Sequence, residues 1–404
     1  MPEHPIVVHK YGGSSLSTVD KLTLIAKRVV AAREQGQRLA VVVSAMGNTT
    51  DELMQLAQSI APDPSARELD MLLSAGERIS TAALAMAIEA LGVPAVSLTG
   101  RQCRIRTTGD HTAAKIVGVD PARVRAELDA DRIVVAAGFQ GVDSNGEVTT
   151  LGRGGSDTTA VALAAALDAA HCDIYSDVDG VYSADPRVVD SARRLERLGY
   201  EEMQSLARHG ARVLNADAVE YARRKDISIY ARSTFGGDES TVIEAVDDLD
   251  RDSEFGVAGV TGRTDVLRLR YRGERQHMHR LREALGAVQV LAHRGDDVTV
   301  DALIPTTDIP CSKRFIAELA AEVSDDVDVS ADVGSVAAVG LGVGEDPDAA
   351  VYARRALERE NVPMATWFMQ PEALTYVVPR KQVDAAVRVM HRAFIDRPCR
   401  GSAA

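Results

Sequence analysis

Residues 1 to about 235 alternate short apolar runs with longer helical stretches, and this alternation narrows the fold more than any other feature. The pattern predicts strands at 6–8, 39–43, 95–98, 133–136, 174–175 and 227–230. Between them it predicts helices at 19–34, 51–59, 72–90, 122–128, 158–170, 200–209 and 216–225. Strands separated by crossover helices build a doubly wound, mainly parallel α/β sheet, with ligands at the carboxyl ends of its strands.

Two glycine turns fall at such ends. Leu151-Gly152-Arg153-Gly154-Gly155-Ser156-Asp157-Thr158-Thr159 leads straight into the apolar stretch Ala160–Ala170. A glycine-rich turn that opens a helix offers several backbone N–H groups and the positive end of the helix dipole to an anion. Arg153 adds a planar fork suited to a carboxylate or phosphate. A bare glycine cluster is as often a tight turn, but a charge of each sign inside this one favours a binding site. The second turn, Tyr11-Gly12-Gly13-Ser14-Ser15, follows the apolar strand that ends in Lys10. Lys10 reads either as a point charge for a phosphate or as a strand-end lysine snorkelling to water. Neither turn has the spacing of a P-loop or of a dinucleotide-binding fingerprint.

The net charge of −13 argues against nucleic acid and acidic membrane surfaces as partners. The start Met1-Pro2-Glu3-His4-Pro5 lacks the basic and apolar regions of a signal peptide, and no apolar run reaches the length of a membrane span. Cys103, Cys172, Cys311 and Cys399 are scattered without a C-x-x-C pair, as expected for free thiols in a reducing compartment. These features describe a cytoplasmic enzyme.

From Thr234 to Phe255 the chain turns acidic and loop-like, which places a boundary there. The expected domains are 1–240, 255–330 and 331–400. The last two read as weak α+β repeats, with helices at 279–285, 349–359 and 383–394. Expected strands lie at 266–271, 288–292 and 298–303, then at 335–340, 365–367 and 373–378. Units of this size pair their sheets side by side, often between subunits.

Taken together, the motifs resemble the aspartate kinases of the amino-acid kinase family. The resemblance rests on Lys10-Tyr11-Gly12-Gly13-Ser14-Ser15, on 43–53 (VSAMGNTTDEL), on 73–80 (LSAGERIS), on the 151–159 turn and on 174–187 (IYSDVDGVYSADPR). The C-terminal third matches the family's tandem ACT domains in pattern only. The resemblance implies transfer of the γ-phosphoryl of ATP, with Mg²⁺, to the β-carboxylate of L-aspartate. It implies that Lys10 holds the transferring phosphoryl, assisted by Gly12, Gly13 and Ser14. It further implies that Asp157 orients Lys10 or helps organise Mg²⁺, with no protein metal site. Arg153 and Glu77 would take the α-carboxylate and α-ammonium, although Glu77 alone also reads as a solvated helix carboxylate. Ser44, Thr50 and Ser156 would fix substrate length. Ser176, Asp177, Tyr182 and Arg187 would serve the nucleotide, with Arg212 where the family usually carries a lysine. A homodimer or higher homo-oligomer through the ACT-like domains is implied.

Three stretches depart from the family. Tyr271-Arg272-Gly273-Glu274-Arg275-Gln276 lacks the proline of the usual effector turn, Val288-Gln289-Val290 replaces an Asn-Ile-Asp segment, and Phe368-Met369-Gln370-Pro371-Glu372 replaces Ser-Thr-Ser-Glu. Weak or absent feedback by lysine and threonine is therefore expected, with the ACT-like domains kept as a dimerisation scaffold or for another effector. Two rival functions remain: a kinase of an aspartate analogue in a specialised pathway, and a silent amino-acid sensor, which intact Lys10, Arg153 and Asp157 disfavour. Arg101, Arg104 and Arg106 read as a solvated hairpin rather than as a border of the cleft.

Overall fold

The computed structural model describes residues 4–246, 253–274, 278, 281, 290–296, 298–306 and 327–396. Its contacts divide the chain into two compact units. The first comprises Met1–Val181, Leu195–Gln204 and Arg212–Asp247. The second comprises Tyr182–Arg194, Ser205–Ala211 and Asp248–Ala404.

In chain order the elements begin β1 (Ile6–Tyr11), α1 (Val19–Glu34), β2 (Arg38–Val43), α2 (Thr49–Ile60), α3 (Ala66–Leu73), α4 (Ala75–Glu89) and β3 (Ala95–Leu98). Next come β4 (Ile105–Thr107), β5 (Ile116–Val119), α5 (Ala122–Asp129), β6 (Ile133–Ala137), β7 (Gln140–Val142), β8 (Val148–Thr150) and α6 (Gly155–Ala166). Then follow β9 (Cys172–Ser176), β10 (Arg197–Gly199), α7 (Tyr200–His209), α8 (Ala216–Lys225), β11 (Ile229–Ser233) and β12 (Ser240–Glu244).

The main sheet of the first unit has the order β10-β12-β11-β9-β1-β2-β6-β3. From β11 to β3 every neighbouring pair is parallel. Strands β1, β2, β6 and β9 are almost wholly buried, the signature of parallel strands covered on both faces. Helices α1 and α4 cover the face that carries Val7 and Tyr11. On β1, Lys10 lies between His9 and Tyr11, so it projects from the opposite face, towards α6. Helix α6 is buried from Gly155 to Ala164 at nearly every position, which explains its unbroken apolar run from Ala160 onward.

Three features of this unit differ from the expectation. The helix expected at 72–90 is two helices, α3 and α4, which meet at Ser74, where the Gln140 Nε2–H donates to the Ser74 carbonyl at 2.9 Å. The acidic stretch after Thr234 holds β12, an antiparallel neighbour of β11 whose residues alternate in burial. A separate four-stranded sheet, β5-β4-β7-β8, is built from strands of three or four residues that a periodicity reading passes over. Its β4–β5 hairpin carries Arg106 exposed on a strand, while Arg104 pairs with Asp120 at 2.5 Å. The hairpin reading of this basic segment therefore holds.

The second unit contains β13 (Gly259–Arg263), β14 (Val266–Arg272), β15 (Ala292–Gly295), β16 (Thr299–Pro305) and β17 (Val327–Ser330). It continues with β18 (Val333–Val339), α9 (Pro347–Arg359), β19 (Thr366–Gln370), β20 (Ala373–Pro379) and α10 (Val383–Phe394). Two antiparallel sheets result, β15-β16-β14-β17 and β13-β18-β20-β19. Strand β13, unassigned from the sequence, pairs with β18 rather than with its neighbours in the chain. Val266, Leu291, Ala292 and Leu303 of the first sheet share a core with Phe368 and Val377 of the second. Helices α9 and α10 cover the second sheet around Leu357, Met390 and Phe394. Most of the helix expected at 279–285 lies outside the described residues.

Candidate active site

The carboxyl ends of β1, β2, β6 and β9 carry the loops that hold most of the expected site residues. At the end of β1 the Lys10 ammonium lies 2.6 Å from Asp157 Oδ1, with both side chains only about one-tenth exposed (12% and 11%). Asp157 stands in the first turn of α6, where a carboxylate is favoured by the helix dipole. A lysine so held is fixed in place while its remaining donors stay available to a second anion. A side chain on Gly12 would sit 3.6 Å from Lys10 Nζ, which places that backbone directly beside the ammonium.

The β1 loop is locked to the β2 loop. The Gly47 N–H donates to the Gly13 carbonyl at 2.9 Å, and the Ser44 N–H donates to that of Tyr11 at 3.1 Å. A Cβ on Gly13 would stand 2.6 Å from the Ala45 carbonyl oxygen, so only glycine permits this approach. Glu77, in the first turn of α4, is 2% exposed. Its Oε1 accepts from the Ala45 N–H at 3.0 Å, and its Oε2 is buried without a hydrogen-bond partner among the described residues. Burial pushes this carboxyl up from 4.5 to about 7, against the lowering pull of the Glu77 and Ala45 amides. A buried carboxylate with one free oxygen is prepared for a cationic group. The alternative of a solvated helix carboxylate is excluded by this burial.

The 151–159 turn is shaped from both sides. Gly154 has φ +74°, and a Cβ there would fall 2.2 Å from Asn215 Nδ2. Asn215 caps α8 by accepting from the Asp217 and Ala218 amides at 2.9 and 3.1 Å, and its Nδ2–H donates to the Arg153 carbonyl at 3.1 Å. The sequence reading missed Asn215; its one signal was its place just before a helical stretch. Asn215→Ala is expected to lower stability by about 1–2 kcal/mol, since it removes a cap and frees the loop carbonyl. Urea unfolding checks this, and a midpoint equal to wild type would show the loop to be held otherwise. Ser156 is buried against Gly138, just beyond β6.

The Arg153 side chain is exposed and has no ion-pair partner among the described residues. Arg212 is likewise exposed. Ser44 and Thr50 are half-buried, Thr50 in the first turn of α2, and Ser14 is exposed. On the expected nucleotide side, the Val178 N–H donates to Ser176 Oγ at 3.3 Å, and Asp177 is exposed. Tyr182 and Arg187 belong to the second unit. Tyr182 bridges to Arg194, and Arg187 forms a two-pronged pair with Asp185.

A layer that sequence reasoning missed supports β1 from the other face. The Asp173 carboxylate is held by His9 (3.3 Å), His171 (3.4 Å) and Arg232 (2.8 Å). Burial would raise this carboxyl, but the His171 and His9 hydrogen bonds and the Arg232 charge more than offset it and hold it well below the usual range. Tyr11 stacks on Tyr175 at 4.7 Å, and Arg28 lies over the Tyr175 ring at 5.1 Å. The residues directly flanking Lys10 are thereby anchored.

Comparison with known proteins gives the family and the fold. Residues 5–233 match the amino acid kinase family. An aspartokinase of Corynebacterium glutamicum is 41% identical, with 96% of each chain covered. An aspartokinase of Mycobacterium tuberculosis is 54% identical over 239 residues, 59% of this chain and 57% of its own. Among solved structures, E. coli aspartokinase III in complex with aspartate and ADP aligns with a TM-score of 0.83 at 23% identity. That alignment covers 96% of this chain and 99% of the other, a likeness of fold.

Proposed function

Because this chain belongs to the amino acid kinase family, among its aspartokinases, we propose how its residues divide the work of phosphorylating L-aspartate. The observation that carries the reading is the enclosed Lys10–Asp157 pair at the carboxyl end of β1, beside the backbone of Gly12. A β-carboxylate oxygen of aspartate attacks the γ-phosphorus of ATP, the bond to the β-phosphate oxygen breaks, and ADP leaves. The nucleophile is already ionised, so no general base is required. The task is to align two anions and neutralise their repulsion.

Lys10 carries charge to the transferring phosphoryl, Asp157 aims Lys10, and Gly12, Gly13 and Ser14 offer backbone donors. Glu77 takes the α-ammonium on its free Oε2, and Arg153 takes the α-carboxylate. Ser44, Thr50 and Ser156 set the substrate's length. Ser176, Asp177 and Arg212 serve the nucleotide. Mg²⁺ fits as an ion carried by ATP, since it usually keeps waters and uses only one or two carboxylates. No cluster of three or more His, Cys, Asp or Glu able to hold a metal occurs among the described residues, and Asp157 is the carboxylate beside Lys10. When bound, Mg²⁺ would neutralise phosphate charge.

Catalysis is assigned to residues 1–240, and assembly to ACT-like stretches at 255–330 and 331–400, with β13 reaching from the first into the sheet of the second. A cytoplasmic homo-oligomer is the corresponding state. Weak or absent feedback is part of the same reading. Of the divergent stretches, 275–276 and 288–289 lie outside the described residues, whereas 368–370 forms part of β19 with Phe368 buried.

The test is hydroxylamine trapping of the acyl phosphate formed from L-aspartate and Mg-ATP, repeated with lysine and threonine separately and together. Hydroxamate formation unchanged by millimolar effectors is expected. Micromolar inhibition by either amino acid would overturn the regulatory part, and no hydroxamate would overturn the assignment of roles.

A further inference from the structure

We propose that Asp70 is a positioning residue for aspartate binding, one that fixes Glu77 and the Arg153 loop relative to each other. The inference rests on the reading of Glu77 and Arg153 as the grip on the substrate's two charged groups. Asp70 lies near the end of α3 and is 0% exposed. Its Oδ2 accepts from His111 Nδ1 at 2.7 Å, both its oxygens accept from the Thr112 N–H at 3.1 Å, and its Oδ1 accepts from the Thr150 hydroxyl at 2.5 Å.

These donors converge from separate parts of the unit. His111 and Thr112 lie in the connection between β4 and β5. Thr150 ends β8, and Leu151, Gly152 and Arg153 follow it directly. On its own side, Asp70 is one turn from Ser74, the junction with α4, where Glu77 stands in the first turn. The connection is also laced to the glycine turn without Asp70. The Ala114 N–H donates to the Thr150 carbonyl at 3.0 Å, and the Thr112 carbonyl lies 3.4 Å from where a Gly152 Cβ would be. One carboxylate therefore ties the helix junction that bears Glu77 to the turn that bears Arg153.

Two features point beyond plain stability. A buried carboxylate is an expensive way to hold a core together, and well-packed apolar residues commonly do as well. Thr112 also has φ +66°, a left-handed conformation that a β-branched residue adopts only under constraint. Backbone strain of this kind persists where its surroundings over-determine it, and it concentrates at ligand sites. Here the surrounding group is Asp70, which binds the Thr112 amide with both oxygens. An amphoteric substrate of fixed length requires its cation and anion partners at a fixed separation, and this network spans the two.

The test is steady-state kinetics of the full chain, with each substrate varied, alongside thermal melting. Asp70→Asn is expected to raise the KM for aspartate at least tenfold while the KM for ATP stays within about twofold. Adding Thr112→Gly to that variant removes the strain, so part of the aspartate KM should be regained. If Asp70→Asn does not fold, His111→Ala and Thr150→Val each remove one arm, and each should raise the aspartate KM severalfold with the ATP KM unmoved. Glu77→Ala and Arg153→Ala are measured in the same assay. If those two impair aspartate binding and the Asp70 network variants do not, the positioning role is overturned alone. If neither of those two does, the grip and the positioning role fall together. A lower melting temperature with both KM values unchanged, or raised equally, would leave Asp70 a structural residue only.

Discussion

Lys10→Ala is expected to lower the kcat for acyl-phosphate formation by a hundredfold or more, the scale of losing one preorganised electrostatic group. The expectation follows from enclosure. The ammonium is 12% exposed and 2.6 Å from a carboxylate that is itself nearly buried, so water cannot readily replace it when the phosphoryl charge develops. The exposed Arg153 and Arg212 are poor substitutes, because neither is held at the end of β1. Lys10→Arg should recover only part of the rate, since the planar fork is bulkier than the ammonium and needs a different geometry against Asp157. Rapid-quench measurement of the chemical step, with melting curves to exclude a folding loss, separates the cases. A Lys10→Ala rate within threefold of wild type would remove Lys10 from the mechanism.

Glu77→Gln should raise the KM for aspartate roughly thirtyfold or more, the order of about 2 kcal/mol or more for losing one member of a buried charged pair. The KM for ATP should barely change. The pH dependence is the sharper readout. With its carboxyl at about 7, Glu77 is largely protonated at pH 6 and ionised at pH 8. The kcat/KM for aspartate should therefore rise with pH up to about 7 and level off above it. The Glu77→Gln variant should lack that limb, and an identical profile in both proteins would exclude Glu77 as the ammonium partner. Stability runs the other way. Between 4.5 and about 7 the folded chain holds a proton that the unfolded chain has lost, so Glu77 makes the fold less stable as pH rises through that window. The full effect is of order 3 kcal/mol at about 1.4 kcal/mol per pH unit, and Glu77→Gln should abolish it.

The sequence made the two glycine turns legible because their chemistry is contiguous. Lys10 adjoins Gly12 and Gly13, and Arg153 and Asp157 lie within one turn, so type and spacing can be read together. The alternating strands and helices of the main sheet were legible because parallel strands buried on both faces leave unbroken apolar runs. What stayed hidden depends on distant partners or short elements. Asn215 acts on Arg153 from another helix, and Asp173 gathers His9, His171 and Arg232 from three strands or their edges. Asp70 looks like any helix carboxylate until Thr112 and Thr150 are folded against it. The β4, β5, β7 and β8 strands are too short for any periodicity to emerge. Tyr182 and Arg187 illustrate a different limit, because a motif names residues without fixing where they point. Arg187 is turned onto its neighbour Asp185.

The pairing of β13 with β18 reaches past the whole β14–β17 sheet, joining Gly259 to Val339. During synthesis β13 leaves the ribosome well before β18, so its edge waits unpaired while β14 to β17 are made. An early termination after β17 would strand that edge and invite foreign pairing. For domain exchange the lesson is equally concrete. A graft cut between β17 and β18 would separate β13 from its sheet, whereas a cut ahead of Gly259 carries both sheets across intact.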